Sequence, residues 1–386
     1  TKALNLSLGN PDLIPPREVI ELKTRFAHET DIDLYTYAED KNLNRFCEGL
    51  IETFTGLKVE NYPHLRYTPT AGIKTASALL PLACGLHLKD RKKFSVVTHL
   101  PAYDVMGTWS ASYLGANRIV WPLKSETGMR MDLGALKTAL DQAGCEKPDL
   151  IFVIRPGNPA SQGATRQEWV DLIEFCSERG IRLANDGAYT TLTQGGHVTL
   201  AEVAKDYPTL EWIELYSLSK ALSDPGARLG AILGSQDFVE DWVLVKGNTD
   251  SGPNPLQMVA YGELFKDVAL TKRLLSETYA IYKQRLDVLI PTLKKAGLKP
   301  AGETTAGFFT LWQVPRSAFG MDLTSGEGTL SERFNRLVID KTGMVGVHFT
   351  GPTGEAYIRY AVCSDILETT ARTRFEKAAA EIRPEY

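Results

Sequence analysis

The 386-residue chain predicts an α/β protein, with a mostly parallel sheet sandwiched by helices in a large domain and a smaller α+β domain beside it. Three observations predict this. Short apolar runs alternate with longer helical patterns through most of the chain. The runs are mostly apolar, as strands buried on both faces read. After Leu293 the alternation stops and a different mixture of strands and helices begins.

Taken in order, strands are predicted at Phe94–Val97, Arg118–Trp121, Leu150–Ile154, Ile181–Ala184, Glu211–Leu215 and Leu229–Leu233. Helical patterns lie between them at Thr75–His87, Leu133–Ala143, Gln167–Arg179 and Leu200–Lys205. Gln257–Leu293 reads as a long, partly exposed helix broken near Lys266–Leu270. Beyond it Gly307–Trp312 and Ala356–Cys363 read as strands, and Leu330–Lys341 and Ile366–Ile382 as helices. The division expected is an N-terminal segment (1–45) joining the small domain, a large domain (46–280) and a small C-terminal domain (281–386). The second boundary falls inside the long helix, so no composition shift marks it.

Composition narrows the function classes. Hydrophobic residues make up 43% and charged residues 23%, ordinary for a soluble globular protein. The net charge is −4 with scattered basic residues, which implies neither a nucleic-acid footprint nor a polybasic membrane anchor. The five cysteines are far apart and unpaired in spacing, as free thiols in a reducing compartment would be. No His/Cys/Asp cluster has metal-ligand spacing. No signal peptide or membrane-length apolar run is present, and a cytoplasmic protein is expected. The chain opens at Thr1 without a methionine, which suggests missing or processed residues.

In such sheets ligands bind beyond the carboxyl ends of the strands, and most candidate residues fall there. Lys220 ends Ser217-Leu218-Ser219-Lys220, and Arg228 follows in Asp224-Pro225-Gly226-Ala227-Arg228. Two serines and an arginine suit a phosphate, and a lysine among them suits a Schiff base to an aldehyde. One compound carrying both is pyridoxal phosphate. Asp186, ending a buried strand, needs a partner, and a protonated pyridine nitrogen is a suitable one; a turn or N-cap aspartate is the competing account. Tyr189 and Asn158 could hydrogen-bond the cofactor's phenolic oxygen, against readings as a packing tyrosine and a loop asparagine. Gly72-Ile73-Lys74 opens a helix whose free N–H groups suit phosphate, although glycine before a helix is common. Tyr103 could stack on the ring or merely pack. Arg359, in a largely apolar strand, suits a substrate α-carboxylate, with a structural salt bridge as the alternative.

With these residues in order, the chain resembles the fold-type I pyridoxal-phosphate enzymes of the aspartate aminotransferase superfamily, class I/II, over nearly its whole length. Leu8-Gly9-Asn10-Pro11-Asp12 is similar to the family's N-terminal segment, so Gly9 would lie beside the substrate. Tyr37 falls where a family tyrosine reaches the neighbouring subunit's phosphate. Gly72-Ile73-Lys74, Tyr103, Asn158-Pro159, Asp186, Tyr189, Ser217, Ser219, Lys220, Arg228 and Arg359 match the cofactor and carboxylate set. Asn248-Thr249-Asp250-Ser251-Gly252 is similar to the diaminopimelate aminotransferase branch, without fixing a substrate. Four places depart from the family pattern: Asn42, Ala160-Ser161, Gly187 and the loop His348-Phe349-Thr350-Gly351-Pro352. The last lines the substrate pocket, so it bears on substrate more than on chemistry.

The resemblance implies a homodimer with shared sites. It also implies an aminotransferase that moves an amino group from an amino acid to a 2-oxo acid. Lys220 would carry the Schiff base and then the α-proton, Asp186 would hold the ring nitrogen charged, and Tyr189 would assist. A lyase, decarboxylase or oxidase with the same cofactor site is the alternative. An effector domain of a regulator is disfavoured by the intact Lys220 and the lack of room for a DNA-binding region.

Overall fold

The computed structural model describes residues 3–37 and 40–386. In chain order its strands are β1 (Leu4–Asn5), β2 (Leu65–Thr70), β3 (Ser95–Leu100), β4 (Asn117–Pro122), β5 (Leu150–Ile154), β6 (Arg182–Asp186), β7 (Trp212–Ser217) and β8 (Gly230–Ser235), then β9 (Phe309–Gln313), β10 (Ser317–Ala318), β11 (Met321–Asp322), β12 (Met344–Val345), β13 (Val347–Thr350) and β14 (Ala356–Ala361).

Strands β2 to β8 form one sheet in the order β2-β8-β7-β6-β5-β3-β4. β3 to β7 pair in parallel, and β8 alone runs against both its neighbours. Successive strand residues face opposite sides, and β5 shows the consequence. Ile151 and Val153 pack into one core with Trp169, Leu172 and Ile173, while Leu150, Phe152 and Ile154 pack into another with Leu80 and Phe94. A strand buried on both faces is apolar wherever no polar partner is supplied, and Leu150–Ile154 has none to supply, so it is legible as a bare run. The covering helix Arg166–Arg179 is closed at both ends by its own sequence. Thr165 and Glu168 form a reciprocal capping box, and Gly180 stops the helix in the left-handed conformation.

The C-terminal strands make a separate antiparallel sheet, β13-β14-β9. Strand β1 pairs in parallel with β12, so the N-terminus does reach this unit. Residues 1–45 nevertheless divide: Leu4 and Leu6 belong to the C-terminal core, and Val19 to the core of the large sheet. The long helix Val268–Lys295 also changes sides. Leu274 and Leu275 pack in the large core, Tyr279 and Tyr282 in the smaller one.

Other elements differ from expectation for local reasons. The long helical pattern breaks after Pro255–Leu264, and Asp267 caps the restart by accepting the Leu270 N–H at 2.8 Å. The helix expected at Thr75–His87 is Lys74–Ala83, ended where Gly85 takes φ +85°. Glu368 caps the last helix, so it starts at Thr369 rather than Ile366. Strands β2 and β13 were not expected. β2 holds Arg66 and Pro69, and Pro is tolerated there because β2 is an edge strand. Among the described residues no helix is long and apolar enough to cross a membrane.

Candidate active site

The reversed strand β8 explains how the candidate residues come together. Its amino end, not its carboxyl end, lies on the edge where the parallel strands finish, and Arg228 stands just before it. Strand β2 runs with the parallel set, so Gly72 follows it onto the same edge. Asp186 closes β6, Asn158 follows β5, Tyr103 follows β3 and Lys220 follows β7. A cavity of about 710 Å³ opens there. Its lining includes every candidate named above except Gly72, which abuts Arg228, and Tyr37. Tyr37 is 77% exposed and lies outside the cavity of this single chain.

Lys220 projects into the cavity and its Nζ donates to the Gly9 carbonyl at 2.7 Å. Burial pulls its pKa below the usual lysine range, and the cations Lys74, Arg228 and Arg359 push the same way, while Cys363 opposes them. A lysine held this way is more readily a neutral, nucleophilic amine. Gly9 is tightly placed: a Cβ there would lie 3.1 Å from the Phe309 ring.

Asp186 behaves oppositely. Burial raises its carboxyl from the ordinary value to about 6, against one backbone donor, the Ala188 N–H at 3.0 Å. A bound cationic N–H would reverse that shift. Nearby, the Asn158 amide donates to the Tyr189 hydroxyl at 3.4 Å. Burial keeps that phenol neutral by raising its pKa well above the usual tyrosine value.

Three groups gather at the other end. Ser217 Oγ accepts from the Ser219 N–H at 3.1 Å as it caps the short turn carrying Lys220. Arg228 adopts φ +52°, a left-handed conformation that disfavours a residue with a Cβ by about 1–2 kcal/mol. Gly72 makes room for it, since a Cβ on Gly72 would sit 2.4 Å from Arg228 Nη2. Helix Lys74–Ala83 starts here, with the first N–H groups of any α-helix lacking intrahelical acceptors. Across the cavity, Lys74 Nζ lies 5.6 Å from the centre of the Tyr103 ring, which is 47% exposed.

Arg359 is buried, and its partners decide between the two accounts of it. Nη1 donates to Asn158 Oδ1 and Nη2 to the Ser7 carbonyl, each at 2.7 Å, while Nε has no partner. The guanidinium lies 4.2 Å from the centre of the Phe309 ring. No carboxylate pairs with it among the described residues. The salt-bridge account therefore lacks its acid.

Sequence reasoning missed several contributors. The carbonyls of Ser7 and Gly9 accept from Arg359 and Lys220, and a backbone oxygen has no residue signature. Phe349 lines the cavity from the altered loop. Ser161, one of the departures, binds the Asn158 loop to β9 through its Oγ, which accepts the Phe309 N–H at 3.0 Å.

Comparison with known proteins agrees with this architecture. The family model for aminotransferase class I and II matches residues 1–369. An LL-diaminopimelate aminotransferase from Syntrophobacter fumaroxidans is 29% identical over 94% of this chain and 87% of its own. Another, from Moorella thermoacetica, is 26% identical over 98% of this chain and 90% of its own. An aromatic aminotransferase from Pyrococcus horikoshii superposes with a TM-score of 0.80 at 18% identity, covering 98% of this chain and 96% of that one. Aspartate aminotransferase from Thermus thermophilus gives 0.76 at 19% identity, covering 98% and 91%. The chain belongs to the aminotransferase class I and II family, whose members are transaminases that depend on pyridoxal phosphate.

Proposed function

We propose that this aminotransferase works through Lys220, with Asp186, Tyr189, Asn158 and Arg359 arranged around one substrate. The observation that carries the reading is the set of unmet charges in a single cavity. Among the described residues, Asp186 is a half-buried carboxylate with one N–H donor, and Arg359 is a buried cation with neutral partners. Pyridoxal phosphate and an amino acid meet these needs in kind: a protonated ring nitrogen for Asp186 and an α-carboxylate for Arg359.

Ser217, Ser219, Arg228 and the helix N-terminus at Ile73 and Lys74 would hold the phosphate, and Tyr103 would cover the ring. The cofactor, when bound, withdraws electrons from the substrate α-carbon and so makes its proton acidic. The residues then divide the labour. Asp186 keeps its carboxylate against the ring nitrogen. Asn158 and Tyr189 orient the ring edge. Arg359 would fix the carboxylate, and Lys220 Nζ, shifted toward its neutral form by burial and neighbouring cations, would accept the α-proton.

Lys74 adds a further positive charge to the cavity, which suits a donor with a second carboxylate, as diaminopimelate has. We also take the enzyme to be a cytoplasmic homodimer. Its five cysteines are all free, and Ile32, Tyr35 and Tyr37 form an exposed apolar segment that a second copy would cover, with Tyr37 reaching the partner's site. The boundary between 46–280 and 281–386 belongs to the same reading, supported by the change of core along helix Val268–Lys295; of residues 1–45, the stretch around Leu4 and Leu6 joins the small domain, while Val19 packs with the large one.

The test is a single-turnover screen of amino acids, LL-diaminopimelate first, with and without a 2-oxo acid. Transamination releases one equivalent of oxo acid per site without an acceptor and turns over only with one. Sustained release of ammonia or carbon dioxide without an acceptor would overturn it. Lys220→Ala should lose turnover by at least about a thousandfold, together with the adduct trapped by borohydride. Full transamination by that variant would sink the role given to Lys220.

A further inference from the structure

We propose that Lys23, on helix Arg17–Ala27, is a positioning residue for Arg228, acting through a half-buried ion pair with Asp224. The inference rests on the assignment of Arg228 to the cofactor phosphate made above.

Asp224 is 8% exposed and begins the loop that ends at Arg228. Its Oδ2 takes the Lys23 ammonium as an ion pair and accepts the Tyr261 hydroxyl at 2.6 Å. The same ammonium lies 5.6 Å from the centre of the Tyr261 ring. Two helices distant in sequence, Arg17–Ala27 and Pro255–Leu264, thus converge on one carboxylate. A buried carboxylate is stable only while its partners are kept. Any shift of Asp224 would strip it of both, so its place is closely specified.

From Asp224 the chain makes one tight turn, closed by the Ala227 N–H on the Asp224 carbonyl at 3.2 Å. Arg228 is tied to this turn, since its Nη1 donates to the Pro225 carbonyl at 3.0 Å. Ser223 and Arg228, flanking the turn, take φ +54° and +52°. Residues with a Cβ persist in that region only where their surroundings over-determine them. Asp224 supplies such a constraint. The guanidinium also occupies a narrow lane over Gly72, so a small movement of the turn misplaces it against the helix N-terminus. Lys23 lies outside the cavity and touches none of the reacting groups, yet it fixes where the phosphate arginine stands.

Lys23→Met keeps the apolar stem and removes the charge, at a side chain 23% exposed. The full-length enzyme, freed of cofactor, is titrated with pyridoxal phosphate and separately with pyridoxal, which lacks the phosphate. The expected result is about a tenfold weaker affinity for pyridoxal phosphate with pyridoxal unchanged. Asp224→Asn should behave alike, and the double variant should be no weaker than the worse single one. An unchanged affinity for pyridoxal phosphate, or an equal loss for both compounds, would overturn the proposal. Arg228→Ala separates this from the underlying reading. If it keeps the preference for the phosphorylated compound, the phosphate assignment fails. If it abolishes the preference while Lys23→Met leaves it intact, only the positioning role fails.

Discussion

Two carboxylates on neighbouring strands have very different partners. Glu214 lies in the middle of β7, paired in register with Asn185 of β6, and Asp186 is the next residue along β6. Burial raises both, to about 7 for Glu214 and about 6 for Asp186. Glu214 is surrounded by protein donors: the N–H groups of Leu200 at 3.1 Å and Ala201 at 2.8 Å, the Asn185 amide at 2.8 Å and the Tyr216 hydroxyl at 2.7 Å. Asn185 cannot turn round, because its Oδ1 accepts the Arg155 N–H at 2.8 Å while its Nδ2 donates to the Arg155 carbonyl at 2.9 Å. Among the described residues Asp186 has the Ala188 N–H alone. Two arginines repeat the contrast. Arg285 reaches Asp12 and the carbonyls of Val362 and Cys363, whereas Arg359 meets only neutral oxygens. Glu214 and Arg285 are closed by the fold, whereas Asp186 and Arg359, left open, line the cavity.

Glu214→Ala tests the closed side and has the larger expected effect on stability. It leaves four buried donors without an acceptor, which should cost about 3–5 kcal/mol of folding stability. Chemical denaturation of the cofactor-free protein measures it, and a loss below about 1 kcal/mol would break the comparison. Arg359→Leu tests the open side. It removes a buried charge that lacks an acid partner and two donated hydrogen bonds, so the folded chain should lose less than with Glu214→Ala, about 1–3 kcal/mol. The amino-acid kcat/KM should instead fall about a hundredfold, or about 2.7 kcal/mol, mostly through KM. A large stability loss with unchanged KM would make Arg359 a fold residue like Arg285.

The closed and open groups were not equally legible in the sequence. Lys220, Asp186 and Asn158 could be singled out because each is a polar residue at or near the end of an apolar run, and Arg359 because it is a cation inside a largely apolar strand. Their mutual contacts could not. Asn158 and Arg359 touch across 201 residues of chain, and Lys220 meets Gly9 across 211. The parallel strands were readable because burial on both faces removes polar residues from them. The direction of β8 was not, since a reversed strand in the same sheet is just as apolar. Strand β2 was hidden by Arg66 and Pro69, which an edge tolerates. Glu214 and Lys23 carried no signal either, because what matters is which distant donors or acids they meet.

Asp186→Asn is the most direct measure of an open charge. In the folded, cofactor-free chain the carboxyl titrates near 6, above its ordinary 3.8. A raised folded pKa contributes stability that is full below about pH 4 and lost as pH rises through about 6. Asparagine cannot ionise, so its variant should equal the wild type near pH 4 and exceed it above pH 7, by about 2–3 kcal/mol at most. Saturating pyridoxal phosphate should invert the order at high pH, because a ring cation pairs with the carboxylate and not with the amide. Thermal unfolding across pH 4–8, with and without cofactor, reads both halves. Parallel profiles in the cofactor-free proteins would mean that Asp186 is already satisfied by the fold, and the contrast with Glu214 would fall with it.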